Sequence, residues 1–383
     1  MYRYVLGCAL AAGVAASGIA ASGPANAQDS VKIGLVEPLT GSVAYNGKSV
    51  VEGAKLAVEQ INAKGGVLGK PVELVIEDGQ CAPANSVNAV EKLVQKDKVA
   101  VLVGAFCSSA TAAIMPVAAK YKIPLVTGVS SSAALTEQNN PWFFRAAETD
   151  ALMAKAFAKI LANDLKLKSV AYVGVNDDWG RGGVEEFSRD LSALGVKTAL
   201  TEYFDHGSTD FFTLLTKLRA AKPDGIFVAA ETQDGSILVK QLQEMGVQSK
   251  VFGVGSWATA DFINLTGDAA EGIYAAVPYV SSVDTPRNQD FVKAYEAKYK
   301  VKPGKYGAAG YNALNITAQA IAQAGSTDAE AIRTALGKTD YKAPNGEYRF
   351  TAKGQAYGFD AVLVRIEGGT PKVVASSPVE APQ

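Results

Sequence analysis

Histidine is nearly absent: His206 is the only one in 383 residues. A metal cluster built on histidines is therefore excluded, and any histidine-dependent triad has one residue to draw on. Walker loops, His-Glu-x-x-His and Gly-x-Ser-x-Gly elbows are also missing, so the common routes to hydrolysis and phosphoryl transfer have no anchor. Neither charge sign is in surplus. Lysine and arginine number 37 against 38 acids, for a net charge of −1, and the basic stripe that neutralises phosphates is not there. Beyond the first 27 residues no apolar run is long enough to cross a membrane. Cysteine is scarce, with three in all.

Residues 1–27 read as a signal peptide. Arg3 forms a short positive n-region, Val5 to Ala21 is mostly apolar, and Ala25-Asn26-Ala27 fits the small-x-small cleavage rule. Cys8 falls inside that segment. The expected location is the periplasm. Cys81 and Cys107 then remain, and an even pair in an exported chain points to a disulfide.

From residue 31 onward the pattern alternates. Val31–Val36 is strand-like. Gly47–Ala63 carries apolar residues at helical spacing and stops at Lys64-Gly65-Gly66. Further strand and helix segments follow up to Val126, with Pro116 expected to interrupt a helix over 110–121. A second series starts after Arg145, and a return segment comes after about Ala276. The rhythm predicts an α/β protein with two Rossmann-like, doubly wound lobes. The lobes are expected to comprise 28–146 with 277–354, and 147–276 with 355–383. Such sheets bind ligands beyond the carboxyl ends of their strands, so the cleft between two lobes is the expected site.

Two hydroxyl clusters fall at those ends. Ser108, Ser109 and Thr111 open a helix after a strand, where free amides and the helix dipole favour an anion. Ser130, Ser131 and Ser132 follow the next strand. Each hydroxyl can simply cap its helix, but two clusters at one edge suit a ligand carboxylate better. Tyr45, Trp179, Trp257 and Tyr306 also lie near strand ends. Trp179 stands in an apparent Gly-rich loop, Asn176 to Gly182. Glu231 follows a strand and either meets a ligand cation or caps the next helix. Gly253-Val254-Gly255-Ser256-Trp257-Ala258 matches part of a dinucleotide fingerprint. It comes late in the chain and Trp257 crowds it, so no cofactor is expected.

These residues resemble the leucine/isoleucine/valine-binding proteins of ABC importers, the type I periplasmic binding proteins. Ile33 to Gly41 is similar to the family's first strand and turn, and Ile61-Asn62-Ala63-Lys64-Gly65-Gly66-Val67-Leu68-Gly69-Lys70 matches a family signature. The resemblance implies three crossovers forming a hinge, and a disulfide between Cys81 and Cys107. It implies a Ser108 hydroxyl on the ligand carboxylate, and Val129 and Ser131 on the ligand head group. Trp179 takes the place of a tyrosine that closes over the ligand, while Tyr45 and Tyr306 fall near ligand-facing positions. Where amino-acid binders place an acid for the α-ammonium, this chain reads Gly253-Val254-Gly255-Ser256. Glu231 is the expected substitute. Otherwise the ligand is an acid without an amine, for which Ser256 and Trp257 line the site. The implied protein is a monomeric, non-enzymatic carrier that docks on a permease; a ligand sensor is the alternative.

Overall fold

The computed structural model describes residues 1, 2, 4 and 30–381. The expected signal segment, apart from three residues, lies outside the described residues. Among them no helix is long and apolar enough to cross a membrane.

The first half alternates strand and helix: β1 (Val31–Glu37), α1 (Ala44–Ala63), β2 (Val72–Asp78), α2 (Pro83–Gln95), β3 (Val101–Gly104), α3 (Ser108–Tyr121), β4 (Leu125–Thr127), α4 (Ala134–Glu137) and β5 (Phe143–Arg145). These strands form a parallel sheet of order β2-β1-β3-β4-β5. Helices on its faces bury β3 and β4 entirely, which is why they read as continuous apolar runs.

The second half repeats the scheme with α5 (Asp150–Asp164), β6 (Ser169–Val175), α6 (Asp178–Ala193), β7 (Lys197–Phe204), α7 (Phe212–Ala221), β8 (Gly225–Ala229), α8 (Thr232–Glu244), β9 (Lys250–Val254), α9 (Ala260–Thr266) and β10 (Tyr274–Val277). After α10 (Pro286–Tyr299), α11 (Lys305–Ala324) and α12 (Ala329–Leu336) come β11 (Tyr341–Ala343), β12 (Gly346–Phe350), β13 (Ala356–Glu367) and β14 (Thr370–Pro378). Strands β6 to β10 are parallel, and β13 joins β10 antiparallel. The protein is thus an α/β structure of two lobes, each built on its own sheet. The chain passes between the lobes after β5, after β10, and once more ahead of β13.

Two local expectations fail. Helix α3 runs unbroken through Pro116, where the ring removes one hydrogen bond and the packed turns on either side hold the rest. The supposed loop Asn176 to Gly182 is mostly the first turn of α6. Asp177 caps it by accepting the Gly180 amide at 2.8 Å, the usual role of an N-terminal aspartate.

Helices α1 and α11 pack unusually closely. A Cβ on Gly53 would stand 1.9 Å from the Gly307 carbonyl, and one on Gly310 would stand 2.0 Å from the Val50 carbonyl. Glycine at both positions is a steric requirement, and it seats the first turns of α11 against the middle of α1.

Cys81 and Cys107 are bridged, with Cα atoms 5.4 Å apart. Cys107 is the N-cap of α3, so the bridge fixes the start of that helix to the turn after β2. With 26 residues of separation, the bond should contribute roughly 3.5 kcal/mol by restricting the unfolded chain. A Cys81→Ser/Cys107→Ser variant is expected to lose stability of that order in urea unfolding, with a lower midpoint and a steeper slope because the uncrosslinked unfolded chain exposes more surface.

Candidate ligand-binding site

The carboxyl ends of the two sheets face each other across a narrow, nearly shut cleft with a free interior of about 20 Å³. The first lobe contributes the β3–α3 and β4–α4 connections and the start of α11. The second contributes α5, the β6–α6, β8–α8 and β9–α9 connections, and the loop after β7.

On the first lobe, no side chain caps α3. The Ser108 hydroxyl accepts the Ser132 amide at 3.2 Å, and its own proton remains free to donate. Ser131 donates to Asp150 Oδ2 at 3.0 Å, while the Asp150 amide donates to the Ser131 carbonyl at 3.1 Å. Ser130 also lines the cleft, but its hydroxyl is spent within 3.0 Å of the Ala105 and Phe106 carbonyls. Val129 and Tyr306 line the same wall, with the Tyr306 ring 4.9 Å from Phe106.

Four carboxylates face the cleft, Glu148, Asp150, Asp177 and Glu231, against two cations, Lys305 and His206. Lys305 pairs with Glu148 at 3.4 Å. His206 lies 3.0 Å from Asp177 and 3.6 Å from Asp234. Burial acts to lower the histidine's pKa, but hydrogen bonds and charge from these two aspartates outweigh it and lift it to about 10. His206 is therefore a charged wall residue, not the surface histidine that a lone loop position suggests. Glu231 accepts from Asn46 Nδ2 at 2.8 Å and from Tyr306 at 2.5 Å. Asp150, 3% exposed, has only the Ser131 hydroxyl. Burial first, then Glu148, raise its pKa to about 7 against the pull of Ser131, Lys305 and Arg145.

Several sequence expectations are corrected. Ser109 lies outside the cleft, one position along α3. Tyr45 is 54% exposed and stands beside Asp261 on the rim. Ser256 and Trp257 are fully buried. The Trp257 indole donates to the Ala230 carbonyl at 2.7 Å and stacks on Phe262. A Cβ on Gly253 would come 2.7 Å from its ring, so Trp257 is a core pillar under the cleft. Trp179, by contrast, lines the cleft and covers Gly255. A Cβ at Gly255 (φ +92°) would meet that ring at 3.3 Å and the Ala230 carbonyl at 3.2 Å. An acid at this position would have to push that ring aside and adopt a positive φ that disfavours any side chain.

The residues that sequence reasoning missed are Glu148, Asp150, Asp177 and Lys305. The sequence marks Arg145 only as the point where the second series begins. It is fully buried, and its guanidinium donates to Gln355, Thr136 and the Ser132 carbonyl at 2.5–2.8 Å.

Comparison with known proteins fixes the family. The profile of the periplasmic binding protein family matches residues 30–370. The chain belongs to that family. Among curated periplasmic binding proteins, a leucine-, isoleucine-, valine-, threonine- and alanine-binding protein of Pseudomonas aeruginosa is 29% identical, over 87% of this chain and 89% of its own. A leucine-binding protein of Thermotoga maritima superposes with a TM-score of 0.85 at 26% identity, covering 91% of this chain and 99% of that one. LivJ of Streptococcus pneumoniae, a branched-chain amino acid transporter substrate-binding protein solved with isoleucine, gives 0.83 at 27%, covering 92% and 99%. A Rhodopseudomonas palustris solute-binding protein holding benzoate shares the fold at 21% identity and a TM-score of 0.85, covering 93% and 98%.

Two outcomes follow for this periplasmic binding protein. Because His206 titrates higher when folded than its ordinary 6.5, its contribution is complete below about pH 6.5 and is lost as pH rises toward 10. Melting temperatures from pH 7 to 10 should fall more steeply in wild type than in His206→Gln. Arg145→Ala leaves Gln355 and the Ser132 carbonyl without their donor in the core. Urea unfolding should show a loss of about 3–5 kcal/mol.

Proposed function

We propose that this chain is the solute-binding component of an ABC importer. It works in the periplasm after signal-peptide cleavage, captures an α-amino acid in the inter-lobe cleft, and delivers it unchanged, as a monomer, to a membrane permease. The observation that carries the amino-acid reading is Asp150. It is a buried carboxylate on the cleft wall with one neutral side-chain donor and, among the described residues, no ion-pair partner, and a ligand ammonium supplies the contact charge. The ligand carboxylate then meets the Ser108 hydroxyl and the uncapped first-turn amides of α3. Branched-chain amino acids are the default side chains, supported by what the curated relatives are named for. Val129, Met153, Trp179 and Val254 supply apolar wall for such a side chain.

The competing ligand is a small organic acid without an amine. Lys305 favours it, as a cation already in the cleft, although Glu148 neutralises it at 3.4 Å.

Calorimetric titration of ligand-stripped protein with leucine, isoleucine, valine and benzoate separates the two. An amino acid is expected to bind, and Asp150→Asn should weaken it at least tenfold. Because the ammonium needs the ionised carboxyl, affinity should fall about tenfold per pH unit below 7 in wild type, and not in Asp150→Asn. Binding of benzoate alone, or binding indifferent to Asp150, sinks the amino-acid reading.

A further inference from the structure

Glu231, the residue expected to replace the missing ammonium-binding acid, is already engaged by the opposite lobe. Its Oε2 accepts from Asn46 at the start of α1 (2.8 Å) and from Tyr306 at the start of α11 (2.5 Å). The next residue completes the junction: Thr232 donates its hydroxyl to Asn46 Oδ1 at 2.9 Å. All four side chains are at most 6% exposed. Every bond here runs directly between side chains of the two lobes.

The polarity of the junction is specific. Asn46 presents its amide N–H to a carboxylate and its carbonyl oxygen to a hydroxyl. Turned the other way, the amide would set oxygen against oxygen at Glu231 and leave Thr232 without an acceptor. Aspartate at 46 would face Glu231 with a second carboxylate. The close α1–α11 packing across Gly53 and Gly310 keeps Asn46 and Tyr306 on the same target. A ligand cannot enter the cleft while these bonds hold, so they must break on opening and re-form on closing.

We infer that Asn46, Thr232, Glu231 and Tyr306 form a ligand-independent clasp, so that the empty protein populates the closed state and affinity is set partly by this junction, not by ligand contacts alone. Glu231 is on this view a positioning residue. The inference rests on the reading of the cleft as a ligand site that opens.

Small-angle scattering of ligand-stripped protein tests it without any ligand. Wild type should show the compact radius of gyration of the closed lobes. Asn46→Asp should shift to a larger radius with little change in melting temperature, because water solvates both carboxylates once the lobes part. Thr232→Val should shift part of the way. The double variant Asn46→Asp/Glu231→Gln should return to the compact value, since the glutamine NH2, set where Oε2 stood, can donate one N–H to the new aspartate and the other to the Tyr306 hydroxyl oxygen. A wild type as expanded as Asn46→Asp, or a double variant that stays open, overturns the clasp. Neither result touches the amino-acid assignment, which the titrations above decide separately.

Discussion

The buried guanidinium of Arg145 is the constraint on which the cleft depends. It stands at the end of the last strand of the first sheet, where the chain leaves one lobe for the other. It reaches the Ser132 carbonyl in the β4–α4 connection, Thr136 just beyond, and Gln355 on the returning crossover. Its own amide donates to the Gly354 carbonyl at 2.7 Å. Taking an arginine out of water costs several kcal/mol, and the cost is offset only when its donors all find acceptors. Three separate segments are therefore held in one arrangement. The loop carrying Ser131 is one of them, and Asp150 follows five residues after Arg145. The hydroxyl–carboxylate pair on the cleft wall inherits its geometry from this one side chain.

Much of the architecture was legible because parallel strands covered on both faces must be apolar throughout, and helices on a sheet show a 3.6-residue stripe. The βαβ order, the two lobes and the disulfide pair could be read from Val31 onward. Errors came where local signals compete with packing. Pro116 reads as a break, yet its neighbours are buried against the sheet. Gly180 and Gly182 read as loop, yet Gly180 lets α6 start close beneath the strands: a Cβ there would stand 2.1 Å from the Val175 carbonyl.

The site was half visible. Ser108, Ser131, Trp179, Glu231 and Tyr306 follow strands or open helices, and the rule that ligands gather at carboxyl ends finds them. Glu148, Asp150 and Lys305 belong to crossovers and helix starts from distant parts of the chain, where no spacing motif links them. Trp257 failed for the opposite reason: it sits at a strand end but turns beneath the cleft. The resulting wall holds four carboxylates to two cations. That imbalance follows from bringing the second lobe's helix-opening acids to face the crossover, and no single stretch of sequence displays it.

The contact of Trp179 with Gly255 has an evolutionary corollary. A side chain at position 255 presses on the indole at position 179, its Cβ standing 3.3 Å from the ring, so the ring must give way to admit it. Each residue alone looks like a free choice, but exchanging one without the other leaves either a tight contact or a hollow. The two positions are thereby coupled, and variation at one is expected to be accompanied by variation at the other.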